Sequence, residues 1–194
     1  MNSAGVIVEN NIDASVRSAV RSTETGYSKE ISEAIADICA DVGISLVASL
    51  PDDWIALTIA TFEQDSRFNH VPVNREESAL GLCSGAFLSG TGAAALMGAS
   101  GLMTLVYAIT KINYTYEIPI FIMITERGSF DDGAKFHVSN GLYLEDVMRS
   151  IDLPYTVIKG KDDIPKIGDA YKHSRKISRP TVTMLPKKLL QGQI

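Results

Sequence analysis

At 194 residues, 45% hydrophobic and 21% charged, the chain has the size and composition of one globular domain with a substantial core. A net charge of −5 excludes a nucleic-acid partner, which needs a surplus of Lys and Arg on some face. The richest basic stretch, residues 159–188, is interrupted by Asp162, Asp163 and Asp169 and reads as solvated surface.

Residues 1–26 are polar and weakly patterned apart from a short Val6–Val8 run, which predicts a mobile or partner-docking arm ahead of a domain over 27–194. No lysine-flanked apolar core precedes it, so no secretory signal is expected and the cytoplasm is the expected location. From Ser28 the pattern becomes regular. Ile31, Ile35, Ile38 and Cys39 recur at helical spacing behind a Ser28 cap. Residues 44–50 form a short apolar run that ends at Pro51 and reads as a strand, and 53–62 reads as a helix. A strand over 69–73, a helix over 75–88, a strand over 93–97 and a helix over 101–111 follow. Residues 118–124 are a strongly apolar strand with Pro119 near its start, and 125–139 a polar loop. Helix 142–150, strand 155–158, helix 164–174 and strand 181–185 complete the alternation. This order implies an α/β fold, a doubly wound and largely parallel sheet with helices on both faces.

Between Glu77 and Lys111 no residue is charged, but Ser, Thr and Gly cut the stretch into pieces too short for a membrane span, so it reads as buried core. Cys39 and Cys83 are too few for a disulfide framework and are not spaced as metal ligands; they read as buried free thiols.

Ligands of such sheets sit beyond the carboxyl ends of the strands. That singles out the loops at 50–53, 73–77, 98–101 and 125–128. Asn74 followed by Glu77 has the spacing of a capping box, which accounts for Glu77. Glu76 is either a second acid suited to the helix dipole or a proton-transfer group. The following helix, residues 79–87, is small and apolar on every face, so a carboxylate at its mouth is desolvated, which suits proton transfer. Gly81, Ser84, Gly85 and Ala86 make it thin, and with the helix over 101–111 it reads as either a large subunit interface or a deep intradomain core. Residues 98–101, Gly-Ala-Ser-Gly, lack the Lys of a P-loop and the spacing of a dinucleotide fingerprint, and a tight strand-to-helix turn explains the glycines. Asp131-Asp132-Gly133 lacks the acids of a calcium loop and reads as polar loop. Of His70, His137 and His173, only His70 is placed by the sequence beside a favoured strand end, where it is either structural or catalytic.

Several of these segments together resemble one family. Ser49-Leu-Pro-Asp-Asp-Trp54, His70-Val-Pro-Val-Asn-Arg-Glu-Glu77, the small-residue helix continuing from it, Ser100-Gly-Leu102, Arg127-Gly128 and Leu153-Pro-Tyr155 are similar to the pyrimidine-binding domain of thiamine-diphosphate enzymes. The likeness is in particular to sulfopyruvate decarboxylase alpha subunits and phosphonopyruvate decarboxylases, and it covers roughly residues 28–185. It implies that Glu76 is the cofactor-activating acid: a carboxyl beside the aminopyrimidine nitrogen favours the imino tautomer, which activates the thiazolium carbon for attack on a 2-oxo acid. By the same resemblance Pro51, Ser100, Gly101 and Leu102 border the cofactor, Asp52 and His70 are candidates for proton transfer to product, and Arg127 for binding a sulfonate or phosphonate. Two segments depart from the family pattern. Residues 98–103 read Gly-Ala-Ser-Gly-Leu-Met where the family reads Gln-Asn-Ser-Gly-Leu-Gly, and 126–128 read Glu-Arg-Gly where it reads Trp-Arg-Gly. The family's Gly-Asp-Gly segment, which holds Mg2+ and the diphosphate, does not occur in the sequence. A separate beta subunit is therefore expected to supply it, in an α2β2 or larger heteromer without a metal site in this chain. The alternatives are a carboligating subunit and a non-catalytic scaffold of the same fold.

Overall fold

The computed structural model describes residues 26–130 and 132–194; residues 1–25, which hold nearly all of the expected arm and its Val6–Val8 run, lie outside the described residues, as does Asp131. Ser28 opens the first element as expected: its Oγ accepts the Ile31 N–H at 3.3 Å and caps α1 (Lys29–Asp41), satisfying a donor that a helix start leaves open. The chain continues through β1 (Ile44–Ser49), α2 (Ala56–Gln64), β2 (Asn69–Pro72), α3 (Glu76–Leu88), β3 (Gly92–Met97), α4 (Ala99–Thr104) and α5 (Val106–Ala108). A π-helical segment (Ile109–Tyr114) leads to β4 (Phe121–Thr125), then α6 (Val138–Ser150), β5 (Tyr155–Val157), α7 (Pro165–Ile177), β6 (Thr181–Leu185) and a short α8 (Lys187–Leu190) that the apolar pattern does not signal.

Among the described residues six strands pair in parallel, in the order β2-β1-β3-β4-β6-β5. In the central strands β3 and β4 successive residues alternate between two cores, which explains why these two runs are almost wholly apolar. Ala93, Ala95, Met97, Ile122 and Ile124 face one core with α3, α4 and α6. Ala94, Leu96, Phe121 and Met123 face the other with α1, α2 and α7. This is the doubly wound α/β arrangement expected. After β1 the chain runs outward to β2, then returns to place β3 on the other side of β1. Strand order therefore reverses between β1 and β3, where a crevice opens at their carboxyl ends.

Both cysteines are buried and free, and burial pushes each thiol up to about 12. Among the described residues no helix is long and apolar enough to cross a membrane. The charge-free stretch folds into α3, β3, α4 and α5. Helix α3 buries Ala79, Leu80, Cys83 and Ala86 on one side. On its other side a Cβ added at Gly81 or Gly85 would meet nothing within 4 Å, and Leu88 at the end of α3 and Tyr107 on α5 stand exposed.

Several boundaries differ from the pattern reading: α6 starts at Val138 instead of residue 142 and α7 runs on to Ile177 past residue 174, and three further differences have a visible cause. Helix α2 starts later than residue 53 because Asp52 Oδ1 accepts the Trp54 N–H at 2.9 Å, holding a turn ahead of it. Strand β4 starts later than residue 118 because the Ile118 N–H binds the Asn113 carbonyl at 2.9 Å and Pro119 has no N–H to donate. The helix expected over 101–111 breaks and widens into the π-helical segment, where Asn113 is fully buried. Its Nδ2 donates to Ser84 Oγ on α3 and to the Ile118 carbonyl, both at 3.1 Å, so the wide turn ties this segment to α3. Asn113→Ala leaves those acceptors without a donor and should cost about 1–3 kcal/mol in urea unfolding; a change within experimental scatter would show that the bridge contributes nothing.

Candidate active site

A cleft of about 360 Å³ occupies the crevice between β1 and β3. Pro51, Asp52, Glu76, Ser100, Gly101 and Arg127, all singled out by sequence, line it together with His137. A second hollow of about 400 Å³ lies at the opposite end of the sheet, beside Tyr155 and Thr181 at the amino ends of β5 and β6. The carboxyl-end cleft is the one that gathers the chemistry.

Asp52 and Arg127 bind each other. Nη2 of Arg127 lies 2.6 Å from Asp52 Oδ1, and the two side chains are 6% and 13% exposed respectively. The Trp54 N–H donates to the same carboxylate at 2.9 Å and the Thr125 hydroxyl at 3.4 Å. The Arg127 guanidinium also stacks on the Trp54 ring, 3.8 Å from its centroid, adding a cation–π contact in a desolvated setting. Arg127 Nε is buried and has no hydrogen-bond partner among the described residues. The pair joins the loop after β1 to the loop after β4 across the end of β3.

Glu76 is the first residue of α3, preceded by Arg75 in extended backbone as N-cap. The capping box expected from Asn74 and Glu77 is not formed, because the helix starts one residue late for that register. Glu77 instead pairs with Arg75 at 3.3 Å, and its own backbone N–H and the Arg75 guanidinium hold its carboxyl below the usual value. Glu76 turns the other way, half-buried in the cleft wall, with its carboxyl against the backbone of Gly101: a Cβ there would lie 2.5 Å from Glu76 Cγ and 2.6 Å from Oε1. Asp52 lies likewise against Gly98, where a Cβ would fall 2.6 Å from Oδ2. These glycines are needed for close approach of carboxyls to backbone, a reason that short turning alone does not supply. Ser100 is fixed by Asn140 Nδ2 at 2.9 Å, a buried α6 residue that carries no signal in the sequence.

Two sequence candidates stand apart from the cleft wall. Leu102 follows Gly101 on α4 and points into the core beneath. His70 Nε2 meets Ser49 Oγ at 2.7 Å, bridging β2 to β1, and burial lowers its pKa against the opposing pull of Glu63. His137, set aside in the sequence, lines the cleft instead. Its Nδ1 lies 2.9 Å from Asp132 Oδ2. Burial opposes charge on Asp132, but bonds from His137 and from the Gly128 and Ala134 N–H groups outweigh it and keep the carboxyl below its usual value. Spacing could not reveal this pair, because residues 125–137 have no apolar period.

No family model matches the chain. It is 32% identical over 155 residues to the sulfopyruvate decarboxylase alpha subunit of Methanococcus maripaludis, a match covering 79% of this chain and 93% of that one. The chain belongs to the sulfopyruvate decarboxylase alpha-subunit family. The alpha subunit from Methanocaldococcus jannaschii is 29% identical over 152 residues, covering 78% of this chain and 90% of the other. A Methanosarcina acetivorans protein named sulfopyruvate decarboxylase is 27% identical over 160 residues, which make up 82% of this chain but only 41% of that protein. Among solved structures, a chain of the 2-oxoglutarate:ferredoxin oxidoreductase from Magnetococcus marinus superposes with a TM-score of 0.66 at 15% identity, over 82% of this chain and 29% of that one. That likeness shows a shared fold. Within the sulfopyruvate decarboxylase alpha-subunit family, the doubly wound sheet and its switch-point cleft are thus the frame on which the Glu76 and Asp52–Arg127 geometry is built.

The two glycines make different demands. At Gly101 the added methyl meets the Glu76 side chain from Cγ outward, which has to swing away, while alanine regains about 1 kcal/mol of helix propensity. At Gly98 it meets a carboxylate held by Arg127, Trp54 and Thr125. Thermal and urea unfolding should show Gly101→Ala near neutral and Gly98→Ala destabilised by about 1–3 kcal/mol; equal effects would mean that Asp52 is not held as described.

Proposed function

We propose that this chain is the alpha subunit of a split thiamine-diphosphate-dependent 2-oxo acid decarboxylase, acting on an anionic substrate such as 3-sulfopyruvate or 3-phosphonopyruvate. The observation that carries the reading is the Glu76 carboxyl, seated on the Gly101 backbone at the mouth of a switch-point cleft. The residues present suit the pyrimidine end of the cofactor: Leu50, Pro51 and Val73 offer an apolar wall to a flat ring, and Glu76 offers a carboxyl to a ring nitrogen. They do not suit the other end. Two carboxyls and a single guanidinium line the cleft, and Asp52 already pairs that guanidinium, so a diphosphate would meet uncompensated negative charge. Mg2+ and the diphosphate are therefore assigned to a beta subunit. The names of the alpha-subunit relatives and the 41% share matched in the Methanosarcina protein support a division of the enzyme into two parts.

When bound, the thiazolium of the cofactor supplies the electron sink into which a 2-oxo acid loses carbon dioxide. This chain's residues set the conditions for that chemistry. Glu76 holds a proton at the aminopyrimidine ring nitrogen. Pro51, Ser100 and Gly101 border the ring, with Ser100 oriented by Asn140, and Leu102 anchors α4 from below. Arg127 offers its remaining N–H donors to the anionic end of the substrate, while Asp52 keeps the guanidinium in place. The uncovered face of α3 with Gly81 and Gly85 suits close contact with another subunit, and the complex is assigned to the cytoplasm.

Glu76→Gln should lower turnover of the α–β complex by about 10²–10⁴-fold without loss of assembly on size-exclusion chromatography. Full activity in that variant would favour the scaffold reading, and acyloin rather than aldehyde as product would favour carboligation. The purified chain without a Gly-Asp-Gly partner should release no carbon dioxide from a 2-oxo acid; release by the chain alone with thiamine diphosphate and Mg2+ refutes the division. Arg127→Lys keeps a charge for Asp52 but loses the planar fork. It should raise KM about tenfold with little change in kcat, and an unchanged KM removes Arg127 from substrate binding.

A further inference from the structure

The roles above leave the His137 wall of the cleft without a function. Asp132, whose side chain is only 3% exposed, accepts the Gly128 N–H at 2.9 Å and the Ala134 N–H at 3.2 Å. A carboxylate in that position is an acceptor, so the Nδ1 of His137, 3.0 Å from Oδ1 and 2.9 Å from Oδ2, is the donor. That fixes the tautomer and leaves Nε2 as the nitrogen offered to a ligand of the cleft. The ring is also boxed in by aromatic edges, Phe136 at 4.2 Å and Trp54 at 6.2 Å between centroids. Its side chain is 12% exposed, accessible from the cleft yet held in one orientation.

We infer that His137 is the group that exchanges a proton with the substrate in this cleft, and that Asp132 is its positioning residue. The inference rests on the decarboxylase reading. In that reaction the bond between the carbonyl carbon and the carboxylate breaks, carbon dioxide leaves, and the carbon that keeps the electron pair takes up one proton: a 2-oxo acid anion plus a proton gives an aldehyde plus carbon dioxide. His137 as imidazolium delivers the proton from Nε2, is left as the Nδ1–H tautomer bound to Asp132, and regains its proton from solvent. The other ionisable groups of the wall are less suited. Arg127 and Asp52 are engaged with each other, Asp52 also by Trp54 and Thr125, and Glu76 is committed to the cofactor ring. Histidine is the side chain that takes up and releases a proton near neutrality. The charged groups around it are Asp132 in its own loop, Lys135 in the preceding turn, Arg127 and Asp52 in the same cleft, Glu76 from α3, and Lys187 from α8, which lies 5.2 Å from the centroid of the Trp54 ring.

The test uses the α–β complex and, separately, the full chain. His137→Gln and His137→Asn remove the ring nitrogen offered to the cleft, and the asparagine amide can still donate to Asp132 as Nδ1–H does. Both should form aldehyde at least about 100-fold more slowly while carbon dioxide release in a single turnover persists. Wild-type turnover in His137→Asn would reduce the histidine to a structural tie and overturn the inference. Independently of turnover, 15N NMR of the imidazoles in the full chain should show His137 protonated at Nδ1 when neutral, and Asp132→Asn should abolish that preference. A neutral ring protonated at Nε2 overturns it too. If the wild-type complex releases no carbon dioxide from any 2-oxo acid, the decarboxylase reading falls and takes this role with it; if it does and both variants keep full aldehyde formation, only the role of His137 falls.

Discussion

The Asp52–Arg127 pair is the contact on which the cleft depends. Its partners are 75 residues apart in the chain, one following β1 and the other following β4, and they meet over the end of β3. A nearly buried ion pair gains little over apolar packing unless its geometry is right and its remaining valences are met. Here the carboxylate also takes the Trp54 N–H and the Thr125 hydroxyl, and the guanidinium lies on the Trp54 ring. Two loops are thereby held in one arrangement, and the glycine backbone at 98 and the helix start at 99 keep a fixed distance from both. Removing either partner would leave a charge stranded in the cleft floor, so the pair acts as a constraint on shape more than as a reserve of stability.

Much of the fold was legible because the sheet is covered on both faces. Strands such as 93–97 and 121–124 must be apolar at every position, helices between them need only one apolar stripe, and the alternation of these two patterns fixes a parallel α/β sheet. Boundaries were less legible where a side chain intervenes. Asp52 delays α2 by taking the Trp54 N–H, and Asn113 widens the helix before β4 by reaching toward Ser84. Neither effect has a period, and both depend on a partner that only the folded chain brings near.

The site divides in the same way. Loops at strand ends can be read from the order of elements, and they brought Pro51, Asp52, Glu76, Ser100, Gly101 and Arg127 into one cleft. What could not be read is which way each side chain turns. Leu102 goes into the core because it sits one step around α4 from Gly101, and His70 is taken up by Ser49 at the neighbouring strand end. Asp132 and His137 are five residues apart in a stretch without regular pattern, and their pairing rests on backbone N–H groups of the loop itself. Of the two adjacent acids, Glu77 turns out to Arg75 and Glu76 turns in to Gly101. One helical step of about 100° separates those fates.

The departure at residue 98 and the ion pair explain each other. The family resemblance places Gln where this chain has Gly98, and any side chain there would start 2.6 Å from Asp52 Oδ2. With glycine, Asp52 can lie on the backbone and reach Arg127; with glutamine it would have to turn away, and the guanidinium would face the cleft unneutralised. On the proposed reading, covering Arg127 with Asp52 would weaken the field that the guanidinium presents to an anion in the cleft. If Arg127 binds the substrate as proposed, binding would then depend on the direction of the remaining guanidinium N–H donors and would favour anionic oxygens that fit that fork over recognition by charge alone.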